Sequence, residues 1–209
     1  MNIYLNIETI PPVGTRPDPA RVKVAKNIKK PELIAERKVA GAEDAWRRLA
    51  LIPWTAQVFC CSVLAGDAEE ATLLMHYDER YLLGNLQDLL NALMTSGNAL
   101  RFVTYNGLSF DFPILRARAV KYGMRDLAQY MHTGRWGDDS HIDVFRQLGE
   151  EGSLDDWAFF FNLPNDNPID GSEISTCMEA GRHNEVVRHA RSRVELLRGI
   201  YKKLEYCGV

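Results

Sequence analysis

Apolar and polar residues alternate from the first turn of the chain, with Ile3, Leu5 and Ile7 set against Tyr4, Asn6 and Glu8. That period of two predicts a strand over residues 2–9, closed by Pro11-Pro12. Asn6 and Glu8 then stand together at its carboxyl end, where open α/β sheets keep their sites. The same pattern also suits the solvated side of an edge strand.

Further along, residues 11–19 read as a proline-rich loop and Pro31 as a break between two short helical pieces. A further helix is expected over 43–51, stopped by Pro53, so that 11–54 forms an insertion between the first two strands. The continuous apolar run QVFCCSVLA (57–65) predicts a buried central strand, with ATLLMHY (71–77) pairing back after Gly66-Asp67. Leucines 82, 83, 86, 89, 90 and 93 recur at helical spacing over 78–94. RFVTY (101–105) is a strand, followed by a helix over 110–122 with Pro113 in its first turn and Gly123 at its end. HIDVF (141–145) suits a short strand or the start of a helix, Ser153 opens another helix through Phe161, and Asn184 is a candidate cap for a long helix to Leu204. This order predicts one α/β domain over 1–209, a mixed sheet with helices on both faces.

Composition narrows the function classes. No apolar run approaches the ~20 residues of a membrane span, and the start, without a basic leader, is not that of a signal peptide. Cys60, Cys61, Cys177 and Cys207 form no C-x-x-C pair, so neither a zinc ribbon nor a disulfide framework is expected, and a reducing cytoplasm is the natural location. No G-x-G-x-x-G, P-loop or G-x-S-x-G sequence occurs. The net charge of −3 argues against a generic nucleic-acid binder, but ten Lys/Arg face five acids between Arg16 and Arg48. Lys23, Lys26, Lys29 and Lys30 in that strip suit either a phosphate backbone or a solvated surface. Trp46, Trp54, Trp136 and Trp157 are expected in the core or in helix packing.

A second stretch carries candidate chemistry. In Tyr105-Asn106-Gly107-Leu108-Ser109-Phe110-Asp111-Phe112-Pro113, the acid Asp111 lies in the first turn of a helix that follows a strand. A carboxylate there favours the helix end. Flanked by Phe110 and Phe112, it also suits a site that binds metal and stacks bases.

These residues resemble the DEDD superfamily of 3′-5′ exonucleases, and most closely the branch related to the proofreading domain of family B DNA polymerases. That family's D-I-E-T motif is matched by Asn6-Ile7-Glu8-Thr9, and its Y-N-G-x-x-F-D-x-P motif by Tyr105 through Pro113. Its H-x-D-L and S-L-D stretches are similar to His141-Ile142-Asp143-Val144 and Ser153-Leu154-Asp155. The third motif, on the last helix, corresponds to His189-Ala190-Arg191-Ser192-Arg193-Val194.

The resemblance implies a ribonuclease H-like fold with a five-stranded sheet. It also implies a mechanism in which four carboxylates hold two divalent ions about 4 Å apart. Carried over position by position, the metal positions are Asn6, Glu8, Asp111 and Arg193, and His189 falls where the family orients the attacking water. Glu8 and Asp111 remain metal candidates with Asp143 in reserve, while Asn6 and Arg193 are degenerate. Tyr105, Asn106, Phe110 and Phe112 fall on the nucleic-acid side. A guanidinium is permanently charged and never a metal ligand; it would repel an ion, fork onto Glu8 or Asp111, or grip a phosphate. Glu195, ~200° round the helix from Arg193, lies too far away to replace it. Without the resemblance, His189 near an apolar stripe reads as a hydrogen-bonded core residue.

The expected function is therefore a 3′-5′ exonuclease-family protein that binds single-stranded DNA or RNA ends, or a protein partner, with little or no hydrolysis and no membrane. The alternatives are an active exonuclease using Mg²⁺ or Mn²⁺, present as an inactivated or diverged variant, and a purely structural or inhibitory module.

Overall fold

The computed structural model describes residues 1–14, 16–95, 97, 99–132 and 140–208, so Trp136 lies outside the described residues. In chain order the elements are β1 (Asn2–Ile10), α1 (Pro31–Arg48), β2 (Gln57–Ala65), β3 (Thr72–Met75), α2 (Glu79–Thr95), β4 (Arg101–Thr104), α3 (Asp111–Tyr122) and α4 (Arg125–Tyr130). Then follow β5 (His141–Asp143), α5 (Val144–Gln147), α6 (Leu154–Phe160), α7 (Ile174–Glu179) and α8 (His183–Tyr206). Short 3-10 turns occupy Pro19–Arg21, Leu49–Leu51 and Gly171–Glu173.

The strands form one sheet in the order β3-β2-β1-β4-β5. β2 runs antiparallel to β1 and β3 antiparallel to β2, while β4 and β5 are parallel to β1. β1 is thus the middle strand, and its polar alternate face is no solvated edge. Ile3, Leu5 and Ile7 pack on one side under Leu82, Leu86 and Leu90 of α2 and Ile114 and Leu115 of α3. On the opposite face Tyr4, Leu64 and Val103 meet Val194, Leu197, Ile200 and Tyr201 of α8. Beyond them Phe59 and Cys60 pack on Val186 and Ala190 of the same helix and on Ile174 and Cys177 of α7. The sheet is covered on both faces, as the element order predicts. Burial pushes the Cys60 thiol up to about 12, consistent with a small buried hydrophobe rather than a nucleophile. Among the described residues no helix is long and apolar enough to cross a membrane.

Four local expectations change. Pro31 opens an 18-residue α1 instead of breaking a helix, because its missing N–H costs nothing at the first helical position. One continuous helix therefore replaces the separate piece expected over 43–51. Asn184 lies inside α8, which starts at His183. Trp54 is 78% exposed and not in the core, whereas Trp46 is buried under the guanidinium of Arg16, 4.5 Å from the ring.

A buried charge cluster ties the apolar layer to the sheet. Glu79 accepts the Val58 N–H at 2.7 Å and the Tyr122 hydroxyl at 2.8 Å, and it forks with the Arg118 guanidinium. Glu79 is 3% and Arg118 7% exposed, so removing one member leaves the other charged and unpaired out of water. Glu79→Ala is expected to lower the unfolding free energy by about 3–5 kcal/mol in a denaturant titration, and Tyr122→Phe by about 1 kcal/mol. Equal effects of the two substitutions would contradict this reading.

Candidate nucleic-acid cleft

The carboxyl ends of the three parallel strands open onto a cleft of about 710 Å³, roofed by α1 and walled by α8. β1 brings Asn6 and Glu8 to it, and a β-bulge bends the ladder between Glu8 and Thr9, with Phe59 as the extra residue on β2. β4 ends at Thr104 and diverges from β1, so the Ile7 N–H loses its ladder partner there. Asp111, at the start of α3, supplies the missing acceptor: Oδ1 takes the Ile7 N–H at 2.9 Å. Burial first, then the charge of Glu8, raises the Asp111 carboxyl to about 7, against the opposing Ile7 hydrogen bond.

The turn between β4 and α3 is built for close approach. Asn106 adopts a left-handed backbone, φ 60°. A Cβ on Gly107 would lie 2.2 Å from the Thr104 hydroxyl oxygen, so only glycine fits. Asp143 clamps this turn from the end of β5. Its carboxylate accepts the N–H groups of Asn106 at 2.7 Å, Leu108 at 3.0 Å and Phe145 at 3.2 Å. Burial raises the Asp143 carboxyl while these bonds oppose the rise. Both Asp143 oxygens hold backbone N–H groups and the residue is not in the cleft lining, so its visible work is that of a turn clamp.

On the α8 side, one hydrogen-bonded chain joins the two unexpected residues. The Asn6 amide donates to Glu8 Oε1 at 2.8 Å, and His189 Nε2 lies 3.1 Å from the same oxygen. His189 Nδ1 faces the Ile169 carbonyl at 3.1 Å and Asn167 Oδ1 at 2.7 Å. A carbonyl only accepts, so Nδ1 is the ring nitrogen that donates toward Ile169. Asn167 and Asn165 donate to Asp155 Oδ1, and Arg193 Nη1 donates to Asp155 Oδ2 at 2.6 Å. Arg193 therefore pairs with Asp155 and not with Glu8 or Asp111. Burial alone would raise the Asp155 carboxyl, but Arg193 and the two amides hold it below the usual carboxylate range.

A pair of divalent ions needs free, ionised oxygens around it. Here Glu8 Oε1 is taken by Asn6 and His189, Asp111 Oδ1 by the Ile7 N–H, and Arg193 adds a fixed cation. Among the described residues, no group of three His, Cys, Asp or Glu is arranged to hold a metal.

Residues 79–196 match the model of a family described as predicted 3′-5′ exonucleases related to the exonuclease domain of PolB. The chain belongs to that family. The match includes Asp111, His189 and Arg193 but begins after Asn6 and Glu8. Exonucleases of this kind normally use divalent metals. A family B DNA polymerase from the hyperthermophilic archaeon Pyrobaculum calidifontis has a similar fold, with a TM-score of 0.62 at 17% identity. That likeness covers 97% of this chain and 24% of the polymerase. The PolB-exonuclease-related domain thus has a ribonuclease H-like fold. Comparison with curated proteins gives no match.

Of the residues expected to meet nucleic acid in this PolB-exonuclease-related domain, Tyr105, Asn106 and Phe110 line the cleft. Phe112 does not: it is 1% exposed, stacked 4.0 Å from the His141 ring, and belongs to the core because the first turn of α3 rotates it inward. Lys23, Lys26, Lys29 and Lys30 are exposed but lie outside the cleft lining. Sequence reasoning missed Arg47, Arg48 and Leu51 in the lining, since no spacing rule relates the end of α1 to β1. It also took Asp155 only as part of a similar stretch, although Ser153 with Asp156 forms a capping box that places it.

The raised Asp111 carboxyl has a consequence for stability. From its ordinary 3.8, the unfolded chain ionises first as pH rises, so this group's contribution is full at pH 4 and is lost by the time pH passes about 7. Asp111→Asn keeps an acceptor for Ile7 without ionising. It is expected to stabilise the fold at pH 8 by on the order of 2–4 kcal/mol, with the advantage gone near pH 4. A pH-independent difference in Tm between variant and wild type would contradict this account.

Proposed function

We propose that this protein binds single-stranded 3′ ends of DNA or RNA in the β1/α8 cleft and does not hydrolyse them by a two-metal route. The observation that carries the reading is the Arg193 guanidinium, part-buried on Asp155 at a position where the family resemblance expects a metal-binding acid. One of its N–H groups is committed to Asp155, and a guanidinium has five, in a fork that suits phosphate oxygens. Three of the five acids in the lining stand beside a basic side chain. Asp155 faces Arg193, Asp44 faces Arg48 at 2.9 Å, and Glu8 faces His189. A polyanion therefore meets less repulsion than the acid count suggests. Phe110 and Tyr105 offer ring surface for an unstacked base.

Calorimetric titration of Mg²⁺ or Mn²⁺ into the protein is expected to show no pair of tightly bound ions. End-labelled single-stranded DNA and RNA should be retained but left intact over hours. Arg193→Ala should weaken retention about 10-fold, as expected for one charge-assisted phosphate contact. Two bound ions accompanied by 3′-end shortening would establish an active exonuclease instead, and failure to retain either nucleic acid would leave a protein-interaction module.

A further inference from the structure

The segment from the end of α1 to β2 forms a lip on the cleft that has no counterpart among the three motifs. Thr9, the residue after Glu8, donates its hydroxyl to the Ala50 carbonyl at 2.7 Å. That bond fastens the 3-10 turn Leu49–Leu51 directly beside the polar end of β1. Arg47, Arg48, Ala50 and Leu51 consequently line the cleft. The turn is stiffened again by Thr55, whose hydroxyl donates to the Leu49 carbonyl at 2.7 Å and whose N–H donates to the Ile52 carbonyl at 3.0 Å. Trp54, at the tip of that second turn, holds its indole 78% exposed, and Leu51 is 61% exposed. Buried Trp46 anchors the preceding turn of α1. The exposure of Trp54 is thus a feature of an ordered, pinned segment and not of a loose loop.

The two guanidiniums are held only at the surface. Arg48 pairs with Asp44 at 2.9 Å, while Arg47 contacts Glu43 at 3.3 Å and the Thr176 hydroxyl at 3.2 Å. Both ion pairs are i,i+4 contacts with about half or more of the arginine side chain in water, the kind that contributes little to stability and is readily exchanged. Guanidiniums and an exposed leucine in the cleft lining, followed three residues on by an exposed indole outside that lining, match the chemistry of a single strand, whose phosphates take the cations and whose unstacked bases take the ring.

We infer that residues 47–54 form a strand-binding lip, with Arg47 and Arg48 on phosphates and Trp54 stacking a base of the single strand that enters the cleft. This rests on the reading that the cleft takes nucleic acid, and it makes the lip, rather than the lysines at 23–30, the main contact of the α1 region.

The test uses the full chain and a dye-labelled dT15 or rU15 oligonucleotide in fluorescence anisotropy, across a salt series. Trp54→Ala is expected to weaken binding about 5- to 100-fold, the effect of losing one stacked base, while Trp54→Phe retains most of it. Arg47→Ala with Arg48→Ala should reduce the slope of log affinity against log salt by roughly 1.4, two single-strand phosphate contacts. Circular dichroism and Tm of each variant report whether it folds. If wild type binds and both lip variants, folded, bind with unchanged affinity and slope, the lip is overturned while the cleft reading stands. If the quadruple Lys23, Lys26, Lys29 and Lys30→Glu variant alone abolishes binding, the lip is likewise overturned. If wild type binds neither oligonucleotide, the cleft reading falls and the lip with it.

Discussion

The cleft depends on one continuous set of hydrogen bonds, running from Asn6 through Glu8, His189, Asn167 and Asp155 to Arg193. Its two ends are the positions where an amide and a guanidinium stand in place of the acids that the family resemblance leads one to expect. The substitutions make sense together. Asn6 donates where an acid would repel Glu8, and Arg193 neutralises Asp155, which in turn holds the amides of Asn165 and Asn167. A buried polar group without a partner costs free energy, and each member of this chain has one.

The scaffold that brings these residues together is indifferent to that change. β1 sits at the centre of the sheet because both of its faces are covered, by the leucines of α2 on one side and by α8 on the other. The polar end of β1 then projects where β4 and β5 also end, so Asp111 and the turn at Asn106-Gly107 arrive at the same place. Asp111 fills a backbone vacancy left by the divergence of β4, and Asp143 holds the turn. Both acids have architectural work that is independent of any catalytic role. Their presence therefore says less about hydrolysis than the identity of residues 6 and 193.

The PolB-exonuclease-related family membership and the shared fold concern the frame. Thr9 links the polar end of β1 to the turn that follows α1, so two guanidiniums line the same cleft as Asn6 and Glu8. In such an arrangement contact with a strand would be carried by fixed cations and ring surface.

Much of this was legible in the residues alone. The alternation of Ile3 to Glu8 determined which face of β1 is apolar, the run at 57–65 marked the second central strand, and the leucine spacing at 82–93 located α2. Each follows from a local period that tertiary context did not override. The chemical mismatch at Asn6 and Arg193 was equally a property of residue type, since no environment turns a guanidinium into a ligand. Only the tertiary structure decided what Arg193 pairs with, that Asp143 serves the backbone, that Phe112 faces inward while Phe110 lines the cleft, and that Arg47 and Arg48 line the same cleft as Glu8. Those facts depend on how far apart helices and strand ends sit in space. Such distances arise from packing between segments 40 to 180 residues apart, and no short-range pattern in a chain encodes them.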